Sequence, residues 1–200
     1  MPSQALLAQV QARVVASAAT TVVLVEGLSD RVAVETVAAR LGCPLDGRGV
    51  AVLPTGGATN VGRFLAMLGP QGRDVRLAGL CDAAEAGWLR TRLDRAGVGT
   101  QGFFVCDRDL EDELIRAAGT DAVLAIVDRE GERESLRRLR QMPYHRGGSL
   151  DAHLHRFIGV RSGRKERYAR LLAEAVDADS MPAPLRDLVA YVCQDAPTAR

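Results

Sequence analysis

The run Thr21-Val22-Val23-Leu24-Val25-Glu26-Gly27-Leu28-Ser29-Asp30 places two carboxylates just past a short apolar stretch. Asp82 likewise follows the apolar run Val75 to Cys81. Asp109 and Glu111 stand in the acidic segment after Gly102-Phe103-Phe104-Val105-Cys106. Carboxylates crowded into one place repel and raise each other's pKa unless a cation neutralises them. A donor set of oxygens, with no histidine or thiolate at ligand spacing, selects hard ions such as Mg²⁺ or Mn²⁺. Such ions serve phosphoryl chemistry, where they stabilise attacking and leaving oxygens.

These acids can share a site only if the elements before them release their ends on one edge. The run Thr21 to Val25 is short, valine-rich and closed by a glycine turn, which fits a buried parallel strand better than a helix. Val32, Val34, Val37, Ala38 and Leu41 then predict a helix that stops near Gly42 and Pro44. A second strand, Val50 to Leu53, meets the turn Pro54-Thr55-Gly56-Gly57 and a helix through Val61, Phe64, Leu65 and Leu68. The third strand is followed by a helix with Trp88, Leu89 and Leu93 that ends at Gly97, and the fourth leads into Asp107 to Leu114. Strands alternating with helices at these lengths predict an α/β fold of parallel β-α-β units with right-handed crossovers. Ligands in such sheets bind outside the carboxyl ends of the strands. Glu26, Asp82 and the Asp109/Glu111 pair stand at three of the four ends.

Beyond about residue 115 the pattern changes to short helical stretches broken by Gly119, Gly131, Pro143, Gly147-Gly148, Gly163 and Pro182. No further strand is predicted there. Leu6, Leu7, Val10, Val14 and Val15 predict an amphipathic lead-in helix over Ser3 to Ala18. The expected organisation is therefore a core over residues 1–118, including that helix, and a helical C-terminal extension over 119–200 packed on it.

Composition excludes more than it selects. A chain of 200 residues that is 47% hydrophobic and 26% charged is ordinary for a globular protein, which argues against disorder. A net charge of +1 leaves a nucleic-acid partner dependent on a local basic face. Of 26 basic residues only Lys165 is lysine. Cys43, Cys81, Cys106 and Cys193 show no C-x-x-C pair and no metal spacing, so reduced thiols are expected, with Cys81 and Cys106 acting as small buried hydrophobes. No stretch approaches ~18 uninterrupted apolar residues and no leader pattern opens the chain, so the expectation is a cytoplasmic protein with no membrane contact.

An apolar strand, Glu26-Gly27-x-x-Asp30, a glycine loop at Gly56-Gly57 and a strand ending in Asp82 together resemble the Toprim domain of topoisomerases, primases and related nucleases. The closer resemblance is to the Toprim module of OLD-family (overcoming lysogenization defect) nucleases. Asp109-Leu110-Glu111 matches that branch's signature after the fourth strand, and Ser162-Gly163-Arg164-Lys165 matches its lysine-bearing helix. The resemblance spans roughly residues 20 to 195. It implies a Toprim-like, Rossmann-like central parallel sheet of about four strands flanked by helices, with a helical C-terminal region. It further implies metal-binding roles for Glu26, Asp30, Asp82, Asp109 and Glu111, one or two Mg²⁺ or Mn²⁺ ions, DNA as substrate, and Lys165 as a stabiliser of phosphate charge. Glu26 and Asp82 join Lys165 as the expected catalytic set. One departure stands out. Where the general pattern has Asp-x-Asp, this chain has Asp82-Ala83-Ala84-Glu85, so Glu85 is the candidate replacement ligand. Full OLD-family proteins carry an ATPase domain before this module. No Walker A pattern occurs here, so an ATPase is expected in trans, and a homodimer is compatible with the chain.

Each of these residues also has a plain structural reading. Asp30 and Glu85 in first helical turns complement helix dipoles, Asp109 is a plausible helix cap, and Glu111 and Lys165 could be solvated. His145, His153 and His155 sit among arginines. His153 and His155 lie two apart on different helix faces, which suits solvent or a phosphate better than a metal pair. Arg133, Arg137, Arg138, Arg140, Arg146, Arg156, Arg161, Arg164 and Arg167 form either a solvated helical face or a face of which part contacts nucleic-acid backbone. Two functions from different classes follow: a metal-dependent nuclease, or, because of Ala84, a non-catalytic binding or regulatory module. Primase-like nucleotidyl transfer has no evident base pocket, and a topoisomerase would need a nucleophilic tyrosine in a separate domain.

Overall fold

Largely apolar runs of four to seven residues make the sheet, and the first of them, Thr21–Val25, is buried along its whole length. The computed structural model describes residues 18–142, 147–161 and 163–194. Strands β1 (Thr21–Val25), β2 (Val50–Pro54), β3 (Arg76–Asp82) and β4 (Phe103–Cys106) form one sheet in the order β2-β1-β3-β4, with every pair parallel. Helix α1 (Leu28–Arg40) connects β1 to β2, α2 (Val61–Leu68) connects β2 to β3, and α3 (Ala86–Ala96) connects β3 to β4.

Alternation along β1 divides the core into two layers. Val23 and Val25 join a cluster with Ala33, Val34, Val37 and Ala38 of α1. Val22 and Leu24 join a second cluster with Phe64, Leu65 and Leu68 of α2 and Leu89 and Leu93 of α3. Helices therefore cover both faces. The chain runs from β1 out to β2, then returns past β1 to β3. The carboxyl ends of β1 and β3 thus flank the point where strand order reverses, and that crevice is where such sheets bind ligands.

After β4 the described chain is helical: α4 (Leu110–Ala118), α5 (Thr120–Arg129), α6 (Arg133–Gln141), α7 (Leu150–Gly159), α8 (Arg164–Ala175) and α9 (Ala183–Gln194). These helices share the α1 side of the core, so a single apolar cluster spans both halves of the chain. The main contact is α8 on α1, where Ala33, Ala38, Ala169 and Ala173 let the two backbones approach. Arg40 ends α1 by donating to the carbonyls of Ala173 and Val176, which closes the C-terminal end of α8. The lead-in helix expected over Ser3 to Ala18 lies, apart from Ala18, outside the described residues, as do His145, Arg146 and Ser162.

One expectation needs correction. Cys43 and Cys193 are not free thiols: they form a disulfide, Cα to Cα 6.4 Å, across 150 residues of chain, while Cys81 and Cys106 remain free. It joins the loop after α1 to α9, a contact that linear spacing cannot reveal. The arginine series is divided between exposed side chains, as on a solvated face, and a buried one. Arg164 is 3% exposed. Arg133 pairs with Asp128, Arg137 and Arg138 with Glu134, and Arg167 with Glu130 and Glu132. A disulfide closing so long a loop stabilises mainly by constraining the unfolded chain, typically by about 2–4 kcal/mol. Reductant should therefore lower the urea midpoint of the protein and leave that of a Cys43→Ser variant unmoved. A midpoint indifferent to reductant would mean that the two thiols are not joined.

Candidate metal centre

Six of the seven acids and bases singled out above line one cavity of about 240 Å³: Glu26, Asp30, Asp82, Asp109, Glu111 and Lys165. Glu26 leaves β1, Asp82 is the last residue of β3, Asp30 lies in the first turn of α1, and Asp109 and Glu111 open α4. The glycine loop after β2 contributes from behind. Gly56 and Gly57, both at positive φ (72° and 112°), turn their N–H groups onto the carbonyl of Glu26 at 3.0 and 3.3 Å. A residue with a side chain would be strained there, and the turn that presents Glu26 would be lost.

The acids differ in what already holds them. Asp30 accepts from the Gly27 N–H at 2.8 Å and from the Ser29 hydroxyl at 3.3 Å, so it also closes the start of α1. Asp109 caps α4 through the Asp112 N–H at 2.8 Å and meets His155 Nε2 at 2.7 Å. Glu111, 5% exposed, faces Lys165 Nζ at 2.9 Å, an ion pair whose angle lies off the hydrogen-bond direction. Glu26 and Asp82 are different. Among the described residues, no hydrogen-bond donor or cation meets either carboxylate. The two acids at the reversal point of the sheet are the ones with oxygens to spare.

The electrostatics follow from this arrangement. Burial, then repulsion from Glu26, Asp109, Asp30 and Glu85, pushes Asp82 up to about 7. Burial also dominates at Asp30 and, with repulsion from Glu111 and Glu26, outweighs the Gly27 N–H and Lys165 and raises it to about 6. Asp109 moves the other way, because His155 and the Asp112 N–H outweigh the effect of burial. Burial opposes the charge on Lys165, but Glu111, Asp30 and Asp109 together hold its pKa above the usual lysine value. The cavity is thus short of positive charge for its five acids, with Lys165 the one lysine or arginine among its lining residues.

Lys165 owes its place to a buried network one residue back. The Arg164 guanidinium lies over the Phe157 ring at 3.9 Å, donates to the Phe157 carbonyl at 2.8 Å, and reaches Glu132 Oε1 at 2.9 Å. Tyr168 donates to Glu132 Oε2 at 2.8 Å. Glu132 therefore joins the start of α6 to α8, and the first turn of α8 is fixed with Lys165 facing the cavity.

Glu85 does not line this cavity. It occupies the N-cap position of α3 and faces, with Glu26 and Trp88, a small apolar recess beside the second core cluster. Its raised pKa comes from burial and from Glu26. Ala84 is exposed. His155 is the residue that sequence reasoning left out of the site. It lies 46 positions from Asp109, and only the packing of α7 beside α4 brings them together. Nothing in its own stretch of sequence signals that contact.

The donor chemistry fits a hard divalent cation, since every acid present offers oxygen. Among the described residues no three metal-ligating groups are already drawn round a single point. The carboxylates line a cavity that an ion would have to gather.

A sequence profile for the overcoming lysogenization defect protein-like Toprim domain matches residues 19–83, which contain Glu26, Asp30 and Asp82. Among curated proteins none matches the chain. Among solved structures, the C-terminal region of the Burkholderia pseudomallei OLD protein is 25% identical, with a TM-score of 0.66 over 90% of this chain and 99% of that one. The C-terminal region of the Xanthomonas campestris pv. campestris OLD protein is 30% identical in one structure, with a TM-score of 0.63, covering 88% of this chain and 95% of that one. The chain belongs to the OLD-like Toprim family. A second structure of the Xanthomonas region gives 29% identity and a TM-score of 0.69 over 88% and 93% of the two chains. The four-stranded parallel sheet with its helical C-terminal part is the OLD Toprim fold, a domain consistent with a nuclease-type family. Among the described residues no helix is long and apolar enough to cross a membrane.

The carboxylate crowding in this OLD-like Toprim module has a consequence for stability. Asp30 and Asp82 hold protons in the fold that the unfolded chain has already released, over the window from the ordinary aspartate value of 3.8 up to about 6 and 7 respectively. Without divalent cations, stability should therefore fall as pH rises from about 4 to about 7, by on the order of 2 kcal/mol once solvent screening of the half-exposed Asp82 is allowed for. Denaturant titrations of the protein and of Asp82→Asn in EDTA check this. The variant should show a smaller decline, and parallel curves would mean that Asp82 is not crowded.

Proposed function

We propose that this Toprim module is a divalent-metal-dependent nuclease that hydrolyses DNA phosphodiester bonds. The observation that carries the reading is the pair Glu26 and Asp82, at the ends of neighbouring strands, with carboxylates that have no partner among the described residues and that line a cavity shared with Lys165. A bound Mg²⁺ or Mn²⁺ supplies Lewis acidity and lowers the pKa of a coordinated water.

The chain's own groups divide the remaining work. Glu26 and Asp82 hold the cation. Asp30, fixed by Gly27 and Ser29, and Asp109, fixed by His155 and the Asp112 N–H, complete or orient the shell with less freedom to move. Glu111 keeps Lys165 charged and pointed at the cavity, where its ammonium neutralises charge developing on the phosphate. Glu85, outside the cavity, adds only to the negative field. In this reading residues up to about 118 form the core that carries the acids, and the helices of 119–200 bring Lys165 and His155 to it.

Ala84 favours a second reading, in which the fold and one ion are kept for binding or regulation rather than hydrolysis. Plasmid nicking in Mn²⁺ separates the two. The protein should nick, Asp82→Ala should lose ~10²-fold or more, and Lys165→Ala should lose rate while still binding Mn²⁺. Nicking by Asp82→Ala at the wild-type rate would overturn the nuclease assignment. Undiminished Mn²⁺ binding without nicking by the wild-type protein would favour the second reading.

A further inference from the structure

Beside the acid cavity runs a second, wider groove of about 610 Å³ lined by Arg108, Ala152, His155, Arg156, Gly159 and Val160. The two share His155 and Gly159, so the groove adjoins the acid cavity along one face of α7. Their charges are opposite in kind: the cavity is walled by carboxylates, whereas the groove carries two guanidiniums and an imidazole and no acid. Arg156 is exposed and, among the described residues, has no ion-pair partner, unlike Arg133, Arg137, Arg138, Arg164 and Arg167. Arg108 is more than half exposed, is 3.9 Å from Asp109 and 3.6 Å from Asp112, and approaches His155 Nδ1 at 3.5 Å. Its guanidinium therefore sits between the groove and the acids.

We propose that this groove is the binding track for the DNA backbone, with Arg108 and Arg156 taking the phosphate next to the one that enters the acid cavity. The inference rests on the nuclease reading for what happens in the cavity, but not for binding itself. An extended polyanion is the ligand that needs two guanidiniums in an open groove, followed by a cation-filled acidic pocket. A repeating phosphate backbone supplies both contacts from one strand, and guanidinium suits phosphate through paired N–H donors. Val160, 48% exposed at the groove's edge, offers an apolar surface to the sugar. Gly159, shared by the two cavities, keeps the passage between them free of a side chain. His155 has a positioning role at this junction: one ring nitrogen holds Asp109 at 2.7 Å and the other faces Arg108, so the wall between groove and cavity is one hydrogen-bonded unit.

The test is fluorescence anisotropy with labelled 20-mer oligonucleotides, single-stranded and duplex, in EDTA, where cleavage cannot occur. Mn²⁺ calorimetry and Mn²⁺-dependent nicking are run on the same preparations. The full chain should bind, with affinity falling steeply as salt rises. Arg156→Ala should weaken binding about tenfold, and the Arg108→Ala/Arg156→Ala double variant should flatten the salt slope by about two counterions. Arg156→Lys should recover most of the loss, and Mn²⁺ affinity should stay the same in Arg156→Ala, which touches none of the acids. Preference for one of the two oligonucleotide forms identifies the strand state that fits the track. Wild-type binding in EDTA that the arginine variants leave unaltered, or no binding at all, would overturn the groove. Arginine-dependent binding without nicking would overturn the nuclease reading and leave the groove standing.

Discussion

Mutual repulsion among carboxylates is the constraint round which this chain is arranged. Five acids reach one cavity from β1, α1, β3 and α4, and no fold gathers like charges without stabilising them elsewhere. The chain does so unevenly. Asp30 and Asp109 are held by backbone N–H groups at helix starts, Glu111 by Lys165, and Asp109 also by His155. Glu26 and Asp82 receive nothing comparable, and burial with repulsion drives Asp82 towards its protonated form. The unrelieved pair lies where strand order reverses, the place at which an α/β sheet leaves room for a ligand. The local instability and the proposed chemistry therefore have one cause.

The helical C-terminal part makes sense as the means of delivering positive charge to that edge. Lys165 is tied in by the Glu132, Arg164, Tyr168 and Phe157 network, by the close packing of α8 on α1, and by Arg40 closing the far end of α8. A buried Arg164 bonded only to solvent-facing partners would be costly. With Glu132, the Phe157 carbonyl and an aromatic face it has a full set. The disulfide between Cys43 and Cys193 fixes α9 to the end of α1 on the same side. The α1 layer is thus the rigid one. The opposite layer, α2 and α3, is a simpler apolar cover.

Much of this was legible in the sequence, for reasons that differ by residue. A valine-rich run closed by a glycine turn marked β1, because parallel strands are buried on both faces, short apolar runs alternating with helical patterns marked the other three, and the acids after them followed from strand ends sharing an edge. β3 extends one residue beyond its apolar run, because Asp82 continues the ladder opposite Cys106. Glu85 is not among the residues that line the acid cavity, because the turn after Asp82 carries it to the N-cap of α3, on the side of the apolar recess. His155, the Cys43–Cys193 bond and the burial of Arg164 were not legible, since each depends on helices that meet only in three dimensions. A count of arginines cannot distinguish one bonded to Glu132 inside the protein from one left free on α7.

The most direct measurement is diffraction from crystals soaked in Mn²⁺, with anomalous scattering used to locate the ions. The account predicts a peak bounded by carboxylate oxygens of Glu26 and Asp82 at about 2.0–2.3 Å, with Asp30 or Asp109 completing the shell and Lys165 left uncoordinated. A peak elsewhere, or none at millimolar Mn²⁺ with the Glu26 and Asp82 carboxylates turned away from each other, would contradict it.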